Sequence, residues 1–535
     1  MRRWLGEHWP LLAGMGVCWG TLAVLVAMAV SRNQGHWVYG LDDAYIHMAI
    51  AKHLVQHGVW GVTPYAFSSA ASSLLWPLLL ALCYLVTGVG ELAPLVLNLA
   101  AVTGLLVMVY RLGRERLPGW AGLAVVLGVT FGAGLPAVTL TGMEHVLQAL
   151  LALAWCWLAA RAVATKEAGL GGPTVGLLAL APLVTMARYE GGFLVAAAAL
   201  LLALRRRWLP ALAVAGLAAL PLAVYGRISF AHGWSWFPSS VLLKGLLYQP
   251  PYQGVVGLVV SRLGMSRLSL LTGAALAVYL ARGLRSRRWW EPEQALLLLF
   301  GVAALGHLLC IPEGELRYET YLAVVGLAAV PLNLFGLLQE IGGWAGRRPV
   351  AGGAAVLGLA LLAVLPSPER AASIGTAVIA STNIYQQQYQ MGRFLRRYYQ
   401  GQGVAANDIG AIDYLADLRL VDVWGLGTRE VAAARLAEGY SSPVVEGLAR
   451  AQGVRVAILY YEWFEPLLPR QWVAVGTWTI PNNVACGRET VTFLATDPQA
   501  ARELGEHLAD FAGELPAEVR QEIGESGGRL FPEEG

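Results

Sequence analysis

Residues 9–30 read WPLLAGMGVCWGTLAVLVAMAV, 22 residues without a charged side chain, with Arg2 and Arg3 just upstream. As a helix this run spans about 33 Å at about 1.5 Å per residue, enough for a hydrocarbon core about 30 Å thick. It exceeds the roughly 7–15 apolar residues of a signal-peptide core and therefore reads as a retained transmembrane helix. Ala27-Met28-Ala29 does resemble a cleavage site, but removal of the segment would leave the rest of the reading unchanged. Further runs of membrane length, or nearly so, follow at 92–110, 118–136, 144–163, 172–187, 191–205, 208–226, 264–284, 293–311, 321–338 and 350–366, making eleven crossings with the first. Charged residues are 14% of the 535-residue chain and hydrophobic ones 56%, against about 25% charged in soluble domains, which excludes an ordinary soluble enzyme. The net charge of +3 gives no electrostatic footprint for nucleic acid. Cys18, Cys83, Cys156, Cys310 and Cys486 stand alone, without the paired spacing of a zinc site or a disulfide framework.

Orientation rests on the arginines. Basic residues cluster at Arg2/Arg3, Arg111/Arg114/Arg116, Arg161/Lys166, Arg205/Arg206/Arg207, Arg282/Arg285/Arg287/Arg288 and Arg347/Arg348, and cytoplasmic loops are enriched in Lys and Arg. All six fall on one side only if the apolar segment 72–87 does not cross. The expected topology is an inner-membrane protein with a cytoplasmic N-terminus, segment 72–87 being a re-entrant or interfacial helix on the outer face. The alternative lets 72–87 cross and merges 172–187 with 191–205 into one bent helix.

Beyond Leu365-Pro366 no run of membrane length remains, and Gln386, Gln387, Gln388, Arg393, Arg396 and Arg397 open a polar stretch. The expected division is a polytopic α-helical membrane domain over 1–370 and a C-terminal extracytoplasmic α/β domain over 371–535. Strand-like pieces occur at 404–406, 420–423, 454–460, 472–480 and 490–495, with a helix-like stretch at 428–438. From Asp497 on, Glu- and Ala-rich sequence predicts further helix before a loose terminus.

The few ionisable residues of the outer loops stand out, because charge beside a membrane is costly unless paired or used. Gly40-Leu41-Asp42-Asp43-Ala44-Tyr45-Ile46-His47 follows the first helix. Adjacent carboxylates need a cation, a metal or a substrate hydroxyl to answer them, although one Asp could simply cap a helix. If helical, the stretch puts Asp43 and His47 on one face. Glu144 sits at the mouth of the next crossing, where the helix dipole favours an acid. Arg188-Tyr189-Glu190-Gly191 lies between two spans, readable as a local ion pair or as an anion-binding arginine. The loop at 227–263 carries Trp234, Trp236 and Lys244, and Glu313, Glu315, Arg317 and Tyr318 precede the span at 321. Arginine and lysine converging with carboxylates outside the bilayer suit a phosphate-bearing lipid headgroup beside a proton-accepting base.

Five motifs in order, Asp42-Asp43-Ala44-Tyr45-Ile46, Phe67-Ser68-Ser69-Ala70-Ala71-Ser72-Ser73-Leu74-Leu75-Trp76, Gly142-Met143-Glu144, Arg188-Tyr189-Glu190-Gly191 and Arg317-Tyr318, resemble the polytopic C-type (GT-C) glycosyltransferases. Within these the chain is most similar to the bacterial branch holding the actinobacterial arabinofuranosyltransferases of cell-wall assembly. Asn407-Asp408-Ile409-Gly410-Ala411-Ile412-Asp413-Tyr414, followed by Leu420-Val421-Asp422-Val423-Trp424-Gly425-Leu426, is similar to the start of that branch's extracytoplasmic domain. The resemblance covers roughly residues 1–430. It departs from related aminoarabinose transferases in lacking Lys-Pro-Pro at the start of the 72–87 segment, and it has Arg-Tyr-Glu-Gly where the branch commonly has Arg-Pro-Glu-Gly or Arg-Pro-Asp-Gly.

The resemblance implies an inverting transferase that moves a sugar from a polyprenyl-phosphate carrier to an acceptor hydroxyl on a glycan, lipid or protein. Carried over by position, Asp42 is the base, Asp43 orients it or helps bind a metal or the acceptor, and Glu144 supports the site. Arg188, Lys244 and Arg317 are candidates for the donor phosphate, and Tyr45, Ser72, Glu190 and Tyr318 for substrate contacts. A divalent cation (Mg or Mn) is left open, with Asp42, Asp43, Glu144 and His47 as candidate ligands; a lone His is also a common structural residue. Asp408 and Asp422 read either as turn residues or as part of a glycan-binding surface. Two rivals are a flippase for lipid-linked sugars, which needs polar residues through its helices, and a non-catalytic scaffold, in which Asp42 and Asp43 are dispensable.

Overall fold

The computed structural model describes residues 2–165, 171–247, 266–311, 316–340 and 368–524. The expected crossing at 350–366 and residues Glu313 and Glu315 lie outside them. Seven helices among the described residues are long and apolar enough to cross a membrane: Gly6–Arg32, Ala93–Gly113, His145–Ala164, Trp208–Ala231, Arg267–Ser286, Pro292–Cys310 and Arg317–Glu340. Leu75–Thr87, Gly119–Gly132, Gly172–Ala187 and Gly191–Leu204 are shorter apolar helices. The run expected to cross at 118–136 is broken: helix Gly119–Gly132 gives way to Leu135–Leu140 through Gly134, whose φ of 66° suits a residue without a Cβ.

Among the described residues, the basic clusters around Arg116, Arg205/Arg207 and Arg282 gather at one end of the bundle, while Lys166, Arg347 and Arg348 lie outside the described residues. There Tyr110 Oη donates to the Glu7 carbonyl at 2.9 Å, and Arg116 pairs with Glu293 at 2.6 Å. Arg205 lies over the Trp290 ring at 5.1 Å, Arg207 donates to the Ala162 carbonyl and, at 3.3 Å, to Thr174, and Arg282 pairs with Glu340 at 2.9 Å. At the other end Arg188 meets Glu144 at 2.6 Å, Tyr321 Oη donates to the Glu190 carbonyl at 3.3 Å, and the Tyr225 and Ser69 hydroxyls are 3.0 Å apart.

Two topological points follow. Helices Gly172–Ala187 and Gly191–Leu204 each run from one end to the other, since Thr174 sits at Arg207 while Arg188 sits at Glu144. They therefore fold back on each other as two helices of opposite direction. Segment 72–87 stays at the Arg188 end: Ser73 Oγ and Leu74 N both donate to the Met186 carbonyl, at 3.2 and 2.9 Å. Past its C-terminus the Glu91 carbonyl accepts from Tyr39 Oη at 2.5 Å, close to the Asp42 helix. Thirteen residues span only about 20 Å, less than a hydrocarbon core.

Beyond Gly403 the chain forms a six-stranded mixed sheet of order β2-β1-β3-β5-β4-β6. The strands are β1 (Gly403–Ala406), β2 (Arg419–Asp422), β3 (Val454–Leu459), β4 (Val473–Thr479), β5 (Thr490–Ala495) and β6 (Arg520–Ile523). The first five fall where the alternation of apolar residues places them; β6 has no such alternation and is held by antiparallel pairing to β4. An aromatic core of Phe394, Trp478, Phe493 and Phe511 seats helices Gln390–Tyr398 and Pro498–Phe511 on the sheet, the latter capped by Asp497 Oδ1 accepting from Gln499 N and Ala500 N at 2.9 Å.

β1 pairs in parallel with β2 on one side and β3 on the other. The connections leave it in opposite directions, so a crevice opens at the carboxyl ends of these strands. Asp408, Trp424 and Trp463 follow those ends and face the helical bundle across a shared cavity.

Candidate functional site

The cavity between bundle and sheet measures about 1010 Å³. Asp42, Asp43, Arg317 and Tyr318 line it from the bundle, and Gln388, Asp408, Trp424, Trp463 and Cys486 from the sheet side. Asp42 opens helix Asp42–His57, where a carboxylate favours the N-terminal dipole. Its side chain nevertheless reaches across to the sheet domain, where Oδ2 accepts from Gly410 N and Oδ1 from Ala411 N, both at 2.8 Å. Those amides open the short helix Gly410–Leu415, so one carboxylate ties together two helix starts far apart in sequence. Only glycine fits at 410, because a Cβ there would lie 2.0 Å from the Asp42 carbonyl oxygen. Lys52, further along the Asp42 helix, reinforces the junction by donating to Asp417 at 2.8 Å and to the Tyr414 carbonyl at 3.0 Å.

Asp42 is raised above the ordinary carboxylate range by burial and then by the like charge of Asp408, against the pull of the two amides and with a smaller push from Asp43. Asp408 is raised too, chiefly by burial, although Tyr460 Oη at 2.5 Å and Gln388 Nε2 at 2.8 Å donate to it. A carboxylate has about four acceptor positions, so Asp42 keeps capacity toward the cavity after accepting two amides.

Around this pair the cations are ordered. Arg317 Nη1 pairs with Asp43 Oδ2 at 3.1 Å and lies over the Tyr318 ring at 5.0 Å; Arg188 lies over the same ring at 5.0 Å. Arg188 is buried and held by Glu144 at 2.6 Å and by both oxygens of Glu190, at 2.8 and 3.1 Å. Burial alone would raise Glu190, but the ion pair with Arg188 overrides it and leaves this carboxyl below its usual value. The Arg188 cluster thus sits behind Tyr318 rather than on the cavity lining.

The remaining sequence candidates are placed as follows. Tyr45 is fully buried, its hydroxyl accepting from Tyr39 N at 3.2 Å, and does not line the cavity. Ser72 meets buried His47 Nε2 at 3.2 Å, also away from the lining. Lys244 stands on helix Ser239–Leu247, and its side chain lies outside what the structure describes. Asp422 is a turn residue, its oxygens accepting from Trp424 N, Gly425 N and Gly427 N at 2.7, 3.1 and 2.7 Å. Asp408 is not: it faces the cavity, and its place just after β1, between two parallel neighbours, is the signal that would have marked it. Among the described residues no three His, Cys, Asp or Glu side chains converge as a metal-binding group, and Asp42, Asp43, Glu144 and His47 are each engaged by other partners.

A family model described as a domain of unknown function (DUF8728) matches residues 382–494, the region that supplies Gln388, Asp408, Trp424 and Trp463. No curated protein matches the chain. Among solved structures, ArnT from Cupriavidus metallidurans in the apo state shares 14% identity, with 91% of this chain and 99% of that one covered at a TM-score of 0.50. The same protein bound to undecaprenyl phosphate matches at 12% identity, with the same coverage and TM-score. The oligosaccharyltransferase AglB from Archaeoglobus fulgidus, in complex with an inhibitory peptide and a dolichol-phosphate, matches at 14% identity over 90% of this chain and 74% of that one, with a TM-score of 0.46. The chain shares the fold of ArnT, an apolar helical bundle followed by a C-terminal α/β domain. At these identities the likeness concerns the fold alone.

Proposed function

We infer that the protein is an inverting glycosyltransferase that takes a sugar from a polyprenyl-phosphate carrier and passes it to an acceptor hydroxyl in the cavity under the sheet domain. The observation that carries this reading is Asp42, a cavity-facing carboxylate fixed by two backbone amides and raised toward neutrality, next to a cation that also faces the cavity. A base whose pKa lies nearer the working pH holds a proton more readily without losing its ionised form. The leaving phosphate already carries charge, so one base and one cation suffice, whereas a retaining route would require a second carboxylate as nucleophile.

In this reading Asp42 accepts the proton of the attacking hydroxyl, and Asp408 keeps its basicity high through like charge. Arg317 receives the departing phosphate, exchanging part of its pairing with Asp43. Arg188 serves instead as a positioning residue, gripping Glu144 and Glu190 and backing the Tyr318 ring. The gathering of the described basic residues Arg116, Arg205, Arg207 and Arg282 at the opposite end of the bundle supports a site on the outer face of the cytoplasmic membrane, in keeping with envelope glycan assembly.

The test is transfer of radiolabelled sugar from a panel of polyprenyl-phosphate donors by membranes containing the protein. Incorporation into a hydroxyl-linked product with inverted anomeric configuration supports the reading. Absence of transfer with every donor, while the protein is folded and inserted, overturns it.

A further inference from the structure

A second cleft opens beside the cavity. It measures about 580 Å³, within the range of about 300–1,000 Å³ usual for small-molecule sites, and its walls include Trp424, Trp463, Tyr440, Arg435 and Glu438. Trp424 and Trp463 line both spaces, so the cleft continues the Asp42 cavity past a pair of indoles. Their ring centroids are 5.7 Å apart and inclined at 46°, an open angle rather than a closed stack.

Each indole is anchored on its far side. Trp463 packs at 4.9 Å edge-on to Tyr460, whose hydroxyl holds Asp408, and against Gly487, where a Cβ would come within 2.5 Å of the indole. It remains 38% exposed, which is high for so large an apolar ring in a fixed position. Trp424 is set by the loop whose amides Asp422 ties down. Over Trp424 and Tyr440 lies the Arg435 guanidinium, at 4.7 and 4.8 Å. Among the described residues Arg435 forms no ion pair, and its Nε is buried without a hydrogen-bond partner. Glu438 stands exposed at the lip on a left-handed backbone, φ 54°.

Flat aromatic faces set at an angle, with a rigid fork of N–H donors and a carboxylate at the rim, match one chemistry well. Sugar rings present partially positive C–H groups to the negative face of an aromatic ring and hydroxyls to Arg and Glu. We propose that the cleft of Trp424, Trp463, Arg435, Tyr440 and Glu438 binds a sugar residue of the acceptor, so that the acceptor is a glycan whose next residue passes the two indoles and offers its hydroxyl to Asp42. This rests on the transferase reading for the role of the sugar, but not for its binding.

The experiment is binding of the full-length protein in detergent micelles to an array of neutral mono- to tetrasaccharides of hexoses and pentoses, beside an array of decapeptides. Expected is glycan binding without peptide binding, weakened about tenfold or more by Trp463→Ala and by Arg435→Ala, because truncating a central aromatic or Arg anchor removes most of a small site's affinity. Trp463→Phe, which keeps an aromatic face and the fold, should restore binding to within about threefold of wild type. Gly447→Ala, at an open helical position where a Cβ meets nothing within 4 Å, should bind glycan as wild type does. Preference for peptides, absence of glycan binding, or glycan binding that Trp463→Ala leaves unchanged would each overturn the proposal. Array binding requires no donor. Glycan binding that depends on Trp463 in a protein that transfers nothing would therefore sustain the cleft and overturn the transferase.

Discussion

Replacing Gly410 by Ala perturbs the junction that aims Asp42. The added methyl would lie 2.0 Å from the Asp42 carbonyl oxygen and 2.7 Å from its carboxylate. Ordinary contact needs about 3.5 Å, so the two elements must separate by about 1.5 Å. Hydrogen bonds now at 2.8 Å would then stretch past 4 Å by the same shift, beyond the roughly 3.2 Å limit of a good N–H···O bond. Bonds to a charged group contribute about 1.5–3 kcal/mol each, so losing both costs up to about 3–6 kcal/mol before water replaces them. A displacement of about 1 Å at a reacting group also costs on the order of a hundredfold in rate. The assay is sugar transfer by purified Gly410→Ala alongside thermal unfolding followed by tryptophan fluorescence. Gly447→Ala, an open helical position where a Cβ meets nothing within 4 Å, is the control. Transfer by Gly410→Ala within about threefold of wild type would refute the argument that this contact positions the base.

Other outcomes follow from the same geometry. Transfer should fall as pH drops through the raised pKa of the Asp42/Asp408 pair, because the base must be ionised; Asp408→Asn removes the like charge and should move that acidic limb to lower pH, read from the pH profile of kcat/KM. Arg188→Met strands Glu144 and Glu190 in a buried setting and should cost about 3–5 kcal/mol, seen as a lowered unfolding temperature in detergent. Transfer by the wild type should persist in EDTA, since the candidate carboxylates already have protein partners; full loss restored by Mg or Mn would show a metal acting where none is assigned here.

The apolar helices of the bundle are legible in the chain because the bilayer imposes its own length rule. Arginine placement predicts that segment 72–87 does not cross; in the fold, Ser73 and Leu74 at its start donate to the Met186 carbonyl. Asp42 and Asp43 stood out because paired carboxylates beside a membrane need an answer. What answers Asp42 was hidden: its amide donors come from positions 410 and 411, a contact only the tertiary fold creates. Arg188 looked equally available for phosphate or for a local pair, and the chain could not show that Glu144 closes on it from another helix. Tyr45 carried no mark of burial, since its neighbours Tyr39 and Tyr414 lie on different elements. Strand β6, polar and short, exists only through its partner β4.

The central claim is that Asp42 takes the proton of the acceptor hydroxyl. The most direct measurement compares wild type with Asp42→Asn, nearly isosteric, for donor binding and for sugar transfer from a polyprenyl-phosphate donor. The account predicts retained folding and donor binding with transfer reduced by about 10²–10⁴-fold, the usual contribution of a general base. Equal transfer by the two proteins would contradict it.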